Sequence, residues 1–461
     1  MQFVHRPYIP GETIAAVATA PGDGGVAIVR ICGQHALEVA SKIFSRDVAS
    51  FASHTVHFGK VMSLSGEKID DVLLVVMHAP KTFTGEDTVE IQCHGGRLVT
   101  KTVLEATFSA GARPAGPGEF SLKAFMNGKV DLAQAEAIQA LVSSKNEHAM
   151  NFAKVQLEGA LSKKVVTFQK KLTEICAILE AWVDFPEEDL EFSPFEVVVD
   201  DLKNIASELK KLIDTFHQGK IIHEGILLSL VGSPNVGKSS LMNALLGKER
   251  AIVSHIPGTT RDLIEDDLRL NGLHFRLTDT AGIRKTSESI EEEGIRRTKT
   301  TIERSDLILF VVDVQDLDLF DHELMESLPK EKTVLVWNKS DLVEKNSLPL
   351  LSNFGFRHVV HVSAKTLFGL DDLHRKIDEV IFEKGCPHKD EVVITSLRHK
   401  ESLVGALNAI EKVIEGLESD VSAEFAAFDA RMALNELGMI IGTNVTEDVL
   451  SAIFSKFCIG K

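Results

Sequence analysis

Paired cysteines are what this sequence most plainly lacks. It has five cysteines (Cys32, Cys93, Cys176, Cys386 and Cys458), scattered and without a C-x-x-C pair. That excludes a disulfide framework and the common zinc spacings, and fits a reducing cytoplasm. No run of about 18 apolar residues occurs, so no membrane-spanning helix is expected. The first residues carry Pro7 and Pro10 and no apolar core, so no secretory leader is expected either. Basic residues are outnumbered, 50 Lys and Arg against 67 Asp and Glu, for a net charge of -17. That argues against a broad basic face coated in nucleic acid. It does not exclude a local basic site, or a partner that supplies one. What remains is an ordinary globular composition, 44% hydrophobic and 25% charged over 461 residues, enough for roughly three domains.

The chain is organised around Gly232-Ser-Pro-Asn-Val-Gly-Lys-Ser239, which fits G-x-x-x-x-G-K-[ST]. Ile226 to Val231 reads as a buried strand before it. Ser240 to Leu246 reads as a helix after it, stopped by Gly247. A strand feeding a glycine turn into a helix start aims backbone N–H groups at one spot, where an anion binds. Lys238 would reach the terminal phosphates and Ser239 would ligate Mg²⁺.

Strands and helices alternate from Gly225 to Lys384, as in a mostly parallel sheet. Leu273 to Thr278 ends at Asp279-Thr280-Ala281-Gly282, an acid at a strand end that can hold Mg²⁺ through water. Two further apolar strands run from Leu307 to Val314 and from Thr333 to Trp337. The second runs into Asn338-Lys339-Ser340-Asp341, whose carboxylate accepts both N–H groups of the guanine N1 and N2 edge. Ser363-Ala364-Lys365 is a backing loop. Phosphate loop, D-T-A-G and N-K-x-D, in that order, identify a GTPase. Gly258-Thr259-Thr260-Arg261-Asp262 stands where a switch segment belongs, with Thr260 placed for Mg²⁺ and the γ-phosphate. Ras-like enzymes place Gln just after D-T-A-G to orient the attacking water. Here Ile283 stands there, so a carboxylate from the glutamate-rich stretch Thr286 to Glu293 is expected instead.

The first third reads as a small α/β domain. Gly24 to Gly33 is a strand with Arg30 among apolar neighbours, and Val72 to Met77 is another. Asp87 to Cys93 alternates Val89, Ile91 and Cys93 against Thr88, Glu90 and Gln92. Glu119 to Lys129 gives a short helix ending near Asn127-Gly128, and Asp131 with Gln134 forms a capping pair. Helical periodicity then runs to about Gly219 (Val198, Leu202, Ile205, Leu209, Leu212, Phe216) and returns at Leu403, Leu407, Ile410, Ile414 and Leu417. A last helix holds Leu450, Ile453, Phe454 and Phe457. The economical organisation is α/β plus all-α: 1–125 an N-terminal α/β domain, 126–221 and 385–461 two parts of one helical bundle, and 222–384 a Ras-like P-loop GTPase domain inserted between them. The C-terminal tail would return towards the N-terminal half.

The chain resembles the MnmE (TrmE) family of tRNA-modifying GTPases over nearly its full length. The resemblance rests on GDGGVAIVRICG, FTGEDTVEIQCHGG and RPAGPGEFSLKAFMNGKVDLAQAEAI, on PNVGKSS, IPGTTRD and DTAGIR, and on the tail Phe457-Cys-Ile-Gly-Lys461. It implies an N-terminal domain that dimerises and binds a 5-formyl-tetrahydrofolate-type one-carbon donor, with Arg30, Glu90, Lys129 and Lys461 at the folate positions. Asn235, Ser254, Ile256 and Thr259 match the family's potassium site, and Glu291 its water-orienting glutamate. The nucleotide positions implied are Asn235, Val236, Gly237, Lys238, Ser239, Ser240, Ser254, His255, Ile256, Pro257, Gly258, Thr259, Thr260, the D-T-A-G and N-K-x-D residues, and Ser363 to Lys365. The family acts with MnmG, an FAD and NADH protein, on C5 of the wobble uridine of tRNA. The role of Cys458 stays open. The alternative is a ribosome-assembly GTPase without folate chemistry; no basic RNA-binding module is evident in its favour.

Overall fold

The computed structural model describes residues 8–184, 194–248, 266–270, 272–278, 302–315, 322–343, 354–382, 391–419 and 422–460. The chain forms two compact units. One comprises Met1–Gln139, Gln156–Leu202 and Asn408–Lys461, the other Ala140–Val155 and Lys203–Leu407.

The first unit holds a six-stranded sheet built from β1 (Ile14–Val17), β2 (Gly24–Cys32), β3 (Thr55–Met62), β4 (Lys68–Met77), β5 (Thr88–Gly95) and β6 (Arg113–Pro114), in the order β3-β4-β5-β2-β1-β6. All pairs are antiparallel except β1 with β6. The alternation in β5 does what its sequence implies. Val89, Ile91 and Cys93 enter a core with Val29, Ile31, Leu74 and Val76, under α1 (Ala36–Ile43) and α2 (Arg97–Ser109). Glu90 and Gln92 take the opposite face.

After the sheet comes α3 (Glu119–Met126), ending at Asn127 with Gly128 left-handed. Asp131 and Gln134 cap the next helix, α4 (Leu132–Ser143), reciprocally: Gln134 N–H donates to Asp131 Oδ1 at 2.8 Å and Asp131 N–H to Gln134 Oε1 at 3.0 Å. The helices α5 (Glu147–Leu157) and α6 (Ala160–Asp184) follow. On α6, Leu161, Val165, Phe168, Leu172, Ile175 and Leu179 are buried in steps of three and four. That stripe meets α13 (Ala423–Ile441), whose buried face is mostly alanine.

In the second unit, α7 (Phe195–Asp214) and α8 (Phe216–Glu224) lead into β7 (Ile226–Val231), with α7 beginning in the first unit. The helix runs on past Gly219 to Glu224. A Cβ there would lie 2.2 Å from the Ile394 carbonyl, so glycine is what admits that segment. The sheet order is β12-β11-β10-β7-β9-β8, from β8 (Asp266–Leu270), β9 (Leu273–Thr278), β10 (Leu307–Asp313), β11 (Thr333–Asn338) and β12 (His358–His361). It is parallel except for β8, an edge strand the sequence did not announce. The unbroken apolar run of β10 is explained by burial on both faces: Leu307, Leu309 and Val311 join one core, and Ile308, Phe310 and Val312 the other. The helix after the phosphate loop, α9, spans Lys238–Lys248, so it starts earlier than Ser240 and continues through Gly247. The remaining helices are α10 (His322–Ser327), α11 (Leu370–Ile381), α12 (Leu397–Glu418) and α14 (Glu447–Phe454). Among the described residues no helix is long and apolar enough to cross a membrane.

Candidate functional site

Two sites are built by these units. The first lies at the carboxyl ends of β7, β10 and β11, which run parallel. Gly232 leaves β7 at φ +143, and a Cβ on it would sit 2.1 Å from the Val311 carbonyl. Asn235 is left-handed at φ +64, which asparagine tolerates, and Gly237 follows at φ +96. Leu241 N–H donates to the Gly237 carbonyl at 2.8 Å. The amides ahead of it, at Lys238, Ser239 and Ser240, belong to the first helical turn and are free of the helix ladder by geometry. This is a cradle for an anion. Lys238 Nζ folds over the loop, donating to the Gly232 and Ser233 carbonyls, both at 2.8 Å. Burial pushes its pKa down.

The N-K-x-D loop is tied directly to this cradle. Asn338 is buried, and its Nδ2 donates to the Val236 carbonyl at 2.9 Å. Its Oδ1 accepts the Ala364 N–H at 3.2 Å. One side chain thus joins the phosphate loop to the Ser363–Lys365 loop. A Cβ on Gly237 would lie 2.3 Å from that Nδ2, so glycine is required for the approach. Lys339 is left-handed and its Nζ pairs with Asp313 Oδ2 at 2.5 Å. Ser340 begins a 3-10 turn that carries Asp341, exposed and free to meet a base edge. Ser363 is buried and Lys365 exposed. The structure therefore brings together Asn235 to Ser240, Asn338 to Asp341, and Ser363 to Lys365. Ser254, His255, Ile256, Pro257, Gly258, Thr259, Thr260, Asp279, Thr280, Ala281, Gly282 and Glu291 lie outside the described residues.

The second site is on the first unit's sheet, on the face opposite α1 and α2. Arg30 and Glu90 are register partners across β2 and β5, and Arg30 Nε donates to Glu90 Oε1 at 2.8 Å. Arg30 also lies over the Phe120 ring, 5.5 Å from its centroid. Its Nη1 donates to the Gly460 carbonyl at 3.2 Å, so the tail does return to the N-terminal sheet. Gly118 N–H donates to the Cys458 carbonyl at 3.3 Å, and Pro117 bridges Ile459. Lys129 Nζ donates to the Pro80 carbonyl at 3.0 Å. Lys461 lies outside the described residues.

The same unit holds a polar cluster around Lys123 that sequence reasoning missed. Lys123, almost fully buried, donates to Glu86 Oε2 at 2.7 Å and to the Glu12 carbonyl at 2.8 Å. Tyr8 donates to Glu86 Oε1 at 3.4 Å, and burial with the nearby Glu86 charge pushes its pKa up to about 12. Cys32, also buried, sits 3.0 Å from Thr84 Oγ1, and burial raises its thiol pKa. This cluster pins the 80–87 loop that Lys129 and Asn127 touch. Its one signal was the Lys123 position on the apolar face of α3.

Comparison with known proteins shows the family of the chain. A model of the MnmE helical domain matches residues 132–458, and one of the GTP-binding protein TrmE N-terminus matches residues 13–129. A tRNA modification GTPase MnmE of Protochlamydia amoebophila (strain UWE25) is 56% identical over 462 residues, covering 100% of each chain. Its namesake in Acetivibrio thermocellus is 41% identical over 455 residues, 98% of this chain and 99% of that one. That of Moorella thermoacetica is 42% identical over 461 residues, again 98% and 99%. With likeness of that degree along its whole length, the chain belongs to the MnmE family of tRNA modification GTPases.

Proposed function

We propose that this GTPase works with MnmG to add an aminomethyl-type or carboxymethylaminomethyl group at C5 of the wobble uridine of certain tRNAs, drawing the carbon from a formyl-tetrahydrofolate-type donor. The observation that carries the folate part is the tail: the Gly460 carbonyl on Arg30, with Glu90 alongside, sets the last residues of the chain against the sheet. A carboxylate at Glu90 suits the amino–imino edge of a pterin, and cations at Lys129 and Lys461 suit the glutamate end. Exposed Val26, Val56, Phe58 and Leu73 on the open side of the same sheet support association of two copies there.

GTP is held by the phosphate loop and chosen by Asp341. Ser239 and Thr260 would hold Mg²⁺, which would neutralise phosphate charge. Asn235, Ser254, Ile256 and Thr259 would hold potassium, which would add positive charge at the phosphates when two GTPase domains meet. Glu291 orients the water that Ile283 cannot. The domain plan, with 222–384 inserted into a helical domain of 126–221 and 385–461, belongs to the same reading, and so does a cytoplasmic location.

Calorimetry of the full chain with 5-formyl-tetrahydrofolate tests the folate role. Wild type is expected to bind, and Glu90→Gln to bind at least about tenfold more weakly through loss of a charge-assisted pair. No heat of binding with wild type overturns the one-carbon assignment while leaving the GTPase untouched.

A further inference from the structure

The nucleotide motifs assign no role to Asp313, the last residue of β10. Its register partner on β11 is Asn338, so its carboxylate stands beside the N-K-x-D loop. One oxygen, Oδ1, accepts the Gln315 N–H at 3.0 Å and is thereby fixed. The other, Oδ2, takes Lys339 Nζ at 2.5 Å. Asp313 is 13% exposed and Lys339 34%. Lys339 itself is left-handed at φ +62, a conformation lysine rarely adopts. That backbone turns Asn338 inward to the cradle and sends the lysine stem back across the strand ends. The Lys339 Cε lies 4.0 Å from where a Gly237 Cβ would be, so the stem passes over the phosphate loop.

We infer that Asp313 is a positioning residue of the guanine site: by anchoring the Lys339 ammonium it sets the lysine stem as one wall of the slot for the base. This rests on the GTP-binding reading of the cradle. A free lysine carries much rotamer entropy, which must be lost when its stem packs on a ligand. An anchor made of protein groups removes that loss from the binding step. An exposed ion pair would contribute little here, but this one is partly buried and geometrically fixed at both ends. The carboxylate acts through the lysine and touches no nucleotide atom.

The test is a fluorescence titration of the full chain with N-methylanthraniloyl-GDP, for wild type, Asp313→Asn, Lys339→Met and the double variant. Asparagine keeps the acceptor for the Gln315 N–H. Asp313→Asn should weaken binding about tenfold, and in GTP hydrolysis the loss should fall in KM rather than kcat. In the Lys339→Met background the same change should add nothing. Unchanged or tighter binding by Asp313→Asn overturns the inference, and so does an equal loss in both backgrounds. If Asp313→Asn folds poorly, Asp313→Ser, whose hydroxyl can still accept the Gln315 N–H, takes its place in the same comparison across the two Lys339 backgrounds, with the same outcomes supporting or overturning it. Failure of wild type to bind the probe would instead defeat the nucleotide reading itself.

Discussion

Replacing Asn338 by Ala should loosen the nucleotide site and the unit that carries it. The side chain is 1% exposed and makes two bonds to backbone, to the Val236 carbonyl and from the Ala364 N–H. Alanine leaves both groups without that partner. An orphaned buried group costs about 1–3 kcal/mol. The Val236 residue is buried and takes the full penalty, whereas Ala364 is half-buried and recovers part of it from water. The sum is about 2–4 kcal/mol, which for a unit of this size lowers the midpoint by roughly 5–15 °C. Trp337 precedes Asn338 in β11 and is fully buried, so its fluorescence reports this transition. The chain has 2 tryptophans, and Trp182→Phe in both backgrounds leaves Trp337 as the reporter. Nucleotide affinity should fall with the midpoint, since the loop from Val236 to Ser239 loses its tie. Asn338→Asp is a useful companion, because it keeps an acceptor for the Ala364 N–H but sets a carboxylate oxygen against the Val236 carbonyl. It should be at least as damaging as alanine. A Trp337 midpoint within about 1 °C of wild type would refute the reasoning, because one buried and one half-buried bond cannot vanish at so little cost.

GTP turnover should be several times faster in KCl than in NaCl at equal ionic strength; equal rates remove the potassium proposal. Glu291→Ala should slow turnover about a hundred- to a thousandfold, the loss of roughly 3–4 kcal/mol of transition-state stabilisation, with nucleotide affinity little changed. An unaltered rate reassigns the water-orienting role. Asp70 predicts a pH effect. Burial opposes its charge, but the His94 backbone N–H and ring outweigh that and hold its pKa below the ordinary 3.8. A carboxyl depressed by folding adds stability above its unfolded pKa and loses it as pH falls through the folded value. The stability gap between wild type and Asp70→Asn should therefore be full at neutral pH and close below about pH 4; a gap that is constant across that range refutes it.

How far the sequence could be read depended on whether a constraint was local. The phosphate loop, the N-K-x-D loop and the reciprocal cap of Asp131 and Gln134 are set by neighbours within a few residues, and each was legible. So were β5, through its alternation, and β10 and β11, through their length and apolar content. The misses have a common physical form. Gly247 read as a helix stop yet lies inside a helix, and the helical pattern read to about Gly219 runs on to Glu224. At Gly219 the reason is tertiary: the Ile394 carbonyl fills the space a side chain would need. β8 pairs at an edge and carries Asp266, Asp267 and Arg269 in five residues, which no apolar pattern marks. Lys123 and Glu86 were passed over: the place of Lys123 on the apolar face of α3 is a faint signal, and nothing local names the partner with which a buried charge will pair. Asp313 was within reach. The rule that an acid at a strand end beside the phosphate loop is functional was applied to Asp279 and fits Asp313 equally.

The Arg30 site shows why such a centre cannot be assigned to one end of the chain. Arg30 and Glu90 are held by adjacent strands and need only the sheet. The Gly460 carbonyl comes from 430 residues away. It is placed there by Gly118, left-handed at φ +63, which packs where a Cβ would meet the Phe454 carbonyl at 2.6 Å. Phe454 and Phe457 in turn share a core with Leu122 and Leu132. The tail is thus locked by apolar burial, on the order of 1.5–3 kcal/mol for each large side chain, rather than by its own hydrogen bonds. The N-terminal segment by itself would keep its ion pair and lose both the carbonyl beside it and the apolar cover over α3. It follows that the folate binding proposed for this site would be a property of the whole chain: a truncated N-terminal piece that failed to bind folate would say nothing against the site, whereas full-length protein that failed would remove it.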